Sequence, residues 1–125
     1  MYATQADDEV FRSTKDVESG APVLDLGHLQ RCTLGDSALQ NEVLGLFREQ
    51  VASSVSALRK SIAEDDCASW RMAAHTLKGS AWAVGAFRLA EEAERAERDN
   101  ATLDSRARGA ERIAIAAVAT VAAIG

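Results

Sequence analysis

The feature that most constrains this chain is a run of apolar residues between Ser37 and Ala63 that recurs with helical period. Leu39, Val43, Leu46, Phe47, Val51, Val55, Leu58 and Ile62 follow one another at steps of four, three, one, four, four, three and four. That spacing stacks side chains on one face of a 3.6-residue helix and would scatter them in a strand of period two. A helix this long with one apolar stripe has to bury the stripe against partners. The rest of the chain supplies them in kind. Only one proline occurs, aromatic residues make up 5%, and Ala, Leu, Glu and Arg dominate, all good helix formers.

Start and stop signals divide the chain into elements. Asp25 caps a short turn of helix within Val23–Arg31 that sets Leu26 and Leu29 on one side. Gly35 makes the next turn, and Asp36 or Ser37 caps the long second helix. Glu64-Asp65-Asp66 closes that helix and opens a third, over Cys67–Val84, whose start the acids favour. Gly85 suits a left-handed cap at its end. A fourth helix follows over Phe87–Arg98, with Phe87, Leu89, Ala90, Ala93 and Ala96 on its apolar side. After a break at Asp99-Asn100 the last helix runs from about Ala101 to Ile124. Ala110, Ile113, Ala114, Ala117, Val118, Val121 and Ile124 are expected to face inward there. Gly45, inside the second helix, is expected to mark close packing with a neighbour. Four amphipathic helices on short connections predict an all-α fold, an antiparallel four-helix bundle with a short additional N-terminal helix over one end. The bundle occupies residues 23–125. Residues 1–22, polar, acidic and without periodicity, are expected to form a disordered tail.

Charge and composition exclude several functions. A net charge of −5 argues against nucleic acid or an anionic membrane surface as partner, since both ask for a basic face. The apolar stretch from Ile113 to Gly125 is too short to span a bilayer, which takes about twenty residues. No signal-peptide pattern opens the chain, and a cytoplasmic monomer is expected. Cys32 and Cys67 have no metal-ligand or redox spacing and are expected to be reduced, Cys67 packed as a small apolar residue. His28, on the short first helix, is read as a surface or packing residue and is assigned no role. No P-loop or glycine-rich phosphate loop is present, so no nucleotide, cofactor or metal site is expected.

One stretch does not read as packing alone. In RMAAHTLKGSAWAVGA, residues 71–86, the apolar stripe Trp70, Ala74, Leu77, Ala81 and Val84 faces the core, and His75 points away from it. Lys78 and Gly79 lie over His75 at i+3 and i+4, so an imidazole sits beside a cation and a gap. A neutral imidazole, with an ordinary pKa of about 6.5, is a good nucleophile near neutral pH.

These residues resemble the signature of histidine-containing phosphotransfer domains, His-x-Leu-Lys-Gly-(Ser/Ala)-Ala followed after three residues by Gly-Ala. His75 through Ala81 and Gly85-Ala86 match every position, and the likeness in helix order extends over about residues 23–124. The resemblance implies that His75 accepts a phosphoryl group from an aspartyl phosphate on a response-regulator receiver domain and passes it to another receiver. Lys78 would screen the charge of the phosphoryl group, and Gly79 would leave room for it. Ser80 is small in the family and is read as packing. Mg²⁺ would belong to the receiver, and a hybrid histidine kinase is a further partner. The chain would be a phosphocarrier and not an ATP-dependent kinase. Arg71, Met72 and Trp82, at i−4, i−3 and i+7 from His75, are candidates for the receiver's landing patch; Met72 and Trp82 have packing as an equal alternative. Glu97 on the following helix is within reach of His75, where some family members carry glutamine. It is left out of the expected site because its charge would repel phosphate. A helical adaptor that carries no phosphate is the alternative function, but it would have no need of His75, Lys78 and Gly79 together. A histidine-kinase dimerisation domain would place an acid where Thr76 stands.

Overall fold

The long amphipathic run forms α2 (Ser37–Ala63), which is flanked by α1 (Leu26–Cys32) and followed by α3 (Cys67–Val84), α4 (Phe87–Arg98) and α5 (Leu103–Ile124). The structure is a computed structural model that describes residues 20–125; the expected tail lies outside the described residues except for its last three. Packing of α2 on α3, α3 on α4, α4 on α5 and α5 back on α2 closes an antiparallel bundle. α1 lies against the C-terminal end of α3. Every helix but α4, which follows Ala86 without a side-chain cap, begins where a short polar side chain takes an orphan amide. Asp25 accepts from His28 N–H at 3.0 Å, Asp36 from Leu39 at 3.1 Å and Asp66 from Ser69 at 3.1 Å. α5 starts two residues later than its pattern suggested, because Thr102 and Ser105 form a reciprocal capping box.

Trp70 is the centre of the core. It is fully shielded, and its indole N–H donates to the Ala96 carbonyl at 2.8 Å, which meets the requirement of a buried donor. Gly109 of α5 lies over the ring, where a Cβ would come within 3.4 Å of Cζ2. Ala90, Ala93 and Ala96 give α4 a nearly flat inner face, so α3 and α5 can approach it closely. At the end of the bundle near that core, buried Arg106 donates to the Asn100 carbonyl at 2.6 Å and to Asp65 at 2.8 Å. It ties the α2–α3 turn to the α4–α5 turn.

The α3–α4 corner is a second fixed point. Gly85 adopts φ +87°, and the Ala86 N–H returns to the Ala81 carbonyl at 2.9 Å, a Schellman-type closure. Asp25 N–H donates to the Gly85 carbonyl at 2.9 Å, and Arg88 N–H donates to Pro22 at 3.0 Å. The chain before α1 is thereby laced to the corner.

Several expectations need correction. Leu39 and Leu46 are exposed although Val43 between them packs on the core; the inward face of α2 runs through Val43, Phe47 and Val51, and Leu46 lies about 100° around from Phe47. A Cβ on Gly45 would meet nothing within 4 Å, so no neighbour packs on it. Val118 is 72% exposed, whereas Thr120, Ala116 and Arg106 are buried. The inner face of α5 is thus rotated from the one expected, and Ala114, Val121 and Ile124 are only half-buried. Thr120 is accommodated because its hydroxyl donates back to the Ala116 carbonyl at 2.7 Å. Leu26 is exposed although Leu29 is buried. Cys67 is half-buried and receives a hydrogen bond from Arg71 Nη1 at 3.1 Å, so it is not an apolar filler.

Candidate functional site

α3 buries Trp70, Ala74, Leu77 and Ala81, and its opposite ridge therefore faces outward. Arg71, His75 and Gly79 follow one another along that ridge at four-residue steps. The His75 side chain is 68% exposed. Its Nδ1 lies 3.0 Å from Oε2 of Glu97 on α4, and Lys78 Nζ lies 2.8 Å from the other oxygen, Oε1. A single carboxylate is therefore shared between the imidazole and the ammonium. The Lys78 hydrogen bond holds the Glu97 carboxyl below the usual glutamate range; desolvation opposes it, and the weaker hydrogen bond from His75 adds to the lowering. Glu97 is then ionised at neutral pH and has no proton to offer. In a neutral ring the hydrogen on this contact must sit on Nδ1, which leaves the lone pair on Nε2.

Sequence reasoning foresaw that Glu97 was near His75 and set it aside for its charge. The geometry brings it directly onto both His75 and Lys78. Hairpin symmetry is the signal that finds it: His75 and Glu97 stand about equally far before and after the Gly85–Ala86 corner, so antiparallel helices bring them side by side.

The other candidates distribute as follows. Gly79 is exposed, and a Cβ built on it would meet nothing within 4 Å. Met72 stands 72% exposed and fills no groove. Trp82 is 46% exposed, and its ring also packs on Phe87 with centroids 4.9 Å apart. That residue is therefore packed on one side and open on the other. Phe87 in turn meets the edge of His28 at 5.3 Å, and His28 Nε2 lies 3.2 Å from the Ala83 carbonyl, which makes His28 a buttress. Arg71 is exposed, with its guanidinium held on Cys67 Sγ. Ser80 is half-buried. Among the described residues, no group of three or more His, Cys, Asp or Glu side chains is placed to hold a metal ion, and no helix is long and apolar enough to cross a membrane.

The fold and site define an all-helical bundle whose chemistry is displayed on a helix surface and not in a cleft. The model of the Hpt domain family matches residues 42–123, and the chain belongs to that family. Its structure is similar to the crystal structure of histidine phosphotransferase ShpA from Caulobacter crescentus, with a TM-score of 0.63 and 35% identity over 82% of this chain and 88% of that one. No curated protein sequence matches. Membership gives the chain a phosphorelay role, in a family of phosphocarriers and not of kinases.

Proposed function

We propose that His75 is the phosphoryl acceptor, taking the group from the aspartyl phosphate of one receiver domain and delivering it to the aspartate of another. The observation that carries this reading is the Glu97 carboxylate held between His75 Nδ1 and Lys78 Nζ. Phosphoryl transfer asks the protein mainly for positioning and charge stabilisation. Nε2 attacks phosphorus, the N–P bond forms, and the P–O bond to the donor aspartate breaks with its electron pair going to the departing carboxylate. The ring then bears both the N–P bond and the Nδ1 hydrogen, hence a formal positive charge. Glu97 stabilises that charge through the hydrogen bond it already makes. No proton has to move, so no separate base is needed, and delivery to the second receiver is the same displacement reversed.

Lys78 lies one turn from His75 and can redirect its ammonium from Glu97 toward the phosphoryl oxygens. The charge of Glu97, which seemed an obstacle, is directed at the side of the ring away from the reacting nitrogen. The receiver would bring Mg²⁺ to its own phosphorylated carboxylate. Met72 and Trp82 offer that receiver an apolar landing patch, and Arg71 lies on its rim. Receivers, including one attached to a hybrid histidine kinase, are the partners this surface fits.

The test is incubation with a phosphorylated receiver domain followed by assay for an acid-labile, base-stable phosphate on this chain. Wild type should be labelled and His75→Gln should not. Labelling of the variant would move the acceptor elsewhere. A wild type that binds the receiver but takes up no phosphate would make the chain an adaptor.

A further inference from the structure

Glu97 is the penultimate residue of α4. Helix ends fray, and their last four carbonyls have no partner within the helix. A side chain there keeps a fixed place only if something else holds the end. Here three successive carbonyls are held. The Asp99 N–H donates to Arg95 at 2.8 Å, the Trp70 indole to Ala96 at 2.8 Å, and Asn100 Nδ2 to Glu97 itself at 2.8 Å. The Asn100 carbonyl in turn accepts from Arg106 Nη1 at 2.6 Å, and Arg106 Nη2 donates to the Asp65 carboxylate at 2.8 Å. A continuous set of bonds therefore joins the turn that starts α3, the helix of His75, to the turn that ends α4, the helix of Glu97. Gly85 closes the other end of the same helix pair.

Arg106 is the member that packing does not explain. It is the only buried charged side chain among the described residues, and its Nε has no hydrogen-bond partner. Burying a guanidinium with an unmet donor is unfavourable, and an apolar side chain of similar size often serves stability as well or better. Hydrocarbon cannot hold a carbonyl and a carboxylate at once, whereas the planar fork of arginine can. What the buried charge secures is the place of Asn100, and through it the end of α4.

We propose that Asn100 and Arg106 are positioning residues for phosphoryl transfer. Arg106 fixes the Asn100 backbone, the Asn100 amide fixes the Glu97 carbonyl, and the Glu97 carboxylate is thereby kept on His75 Nδ1, 3.0 Å away. Neither residue bonds to the imidazole; both act through Glu97. The kinetic part rests on His75 being the phosphoryl acceptor, whereas the placement of Glu97 exists before any phosphate arrives.

The test is Asn100→Ala, at a half-buried position, in the full chain. At a pH where the ring is neutral, wild type should show two well-separated ¹⁵N signals for His75, a protonated Nδ1 and a bare Nε2. In the variant they should move toward each other as the second tautomer is populated. Single-turnover transfer from a phosphorylated receiver should slow about three- to tenfold, at or below the scale of a lost orienting partner. Asn100→Ser should recover most of both, since a serine hydroxyl spans the same three-residue step from Ser61 to the Leu58 carbonyl at 2.7 Å. Asn100→Ala added to Glu97→Ala should slow transfer no further, because residues that act through one contact are not additive. Arg106→Met should match Asn100→Ala in both readouts. Asp65→Asn, which keeps a residue tolerant of the left-handed turn and removes the charge facing Arg106, should move the ring signals the same way by less. Ring signals that stay in place, a rate that does not fall, or a slowing that persists on top of Glu97→Ala overturns the proposal. If wild type takes up no phosphate while the Asn100→Ala signals still move, the placement of Glu97 stands and the acceptor role of His75 fails.

Discussion

Gly79→Ala separates the needs of the fold from those of the site. Gly79 lies inside α3, where glycine costs about 0.8–1.0 kcal/mol relative to alanine because its backbone loses more freedom on folding. The added methyl group would meet nothing within 4 Å, so no clash offsets that gain. The variant should therefore be more stable by about 1 kcal/mol. In a domain of this size that corresponds to a rise in Tm of about 4 °C or slightly more. In urea the midpoint should rise with no change in slope. Phosphoryl transfer should move the opposite way. The methyl would stand one turn from His75 on the ridge a receiver covers, and a misplacement of about 1 Å at a reacting centre costs up to about 100-fold in rate. Single-turnover transfer from a phosphorylated receiver, followed by rapid quench, should slow by about 10- to 100-fold. Loss of stability would show that the space beside Gly79 is not free. Stabilisation with an unchanged rate would show that no partner uses that space.

The remaining predictions concern the neighbours of this position. Glu97→Ala removes the acceptor of the Nδ1 hydrogen and should slow transfer about tenfold, the usual scale for a lost orienting partner; Glu97→Gln, which keeps a carbonyl acceptor, should lose less, and ¹⁵N shifts of the His75 ring should report the change of tautomer. Lys78→Ala should slow transfer but change stability by less than about 1 kcal/mol, because the pair it breaks is partly exposed; an unchanged rate would remove its proposed role. Gly85→Ala should destabilise by about 2 kcal/mol or more, since φ is +87° and a Cβ would sit 2.9 Å from the Asp25 carbonyl; chemical denaturation measures this. Glu97 has a lowered pKa, so its stabilising contacts are fully present above the ordinary glutamate value of about 4.5 and are lost as pH falls through the lower folded value. A carboxyl ¹³C titration should give Glu97 a midpoint below the ordinary glutamate value.

The parts of this fold that were legible in the sequence were those written in local chemistry. Asp25, Asp36 and Asp66 are caps whose geometry needs only three following residues, and Gly85 is a stop that needs only its own backbone. The facing of α5 was harder to read. From Ile113 to Ile124 nearly every residue is apolar, so the helix has little angular contrast, and buried Thr120 and exposed Val118 exchange the places their polarity suggests. For α2 the period was correct, but which part of the apolar stripe faces inward depends on its partners: Val43, Phe47 and Val51 do, and Leu39 and Leu46 lie at the exposed edge. At the site, His75 and Lys78 are linked by spacing within one helix. Their contact with Glu97 crosses a corner, and the sign of its effect depends on which ring nitrogen it faces, a matter of ångströms that no spacing records.

The corner itself has a mechanical consequence. His75 stands about 15 Å before Gly85 along α3, and Glu97 about as far beyond it along α4, at 1.5 Å of rise per residue. The two helices are the arms of a pair of tweezers whose tips hold the His75–Glu97 hydrogen bond beside the Lys78–Glu97 pair and the Trp70–Ala96 bond. A rotation of about 4° at the pivot would move a tip by about 1 Å over such an arm, enough to stretch a 3.0 Å contact beyond bonding distance. The strands of backbone that grip the pivot, Asp25 on Gly85 and Pro22 on Arg88, come from the segment leading into α1. That short lacing, remote from the reacting nitrogen, acts as the set-screw of the instrument.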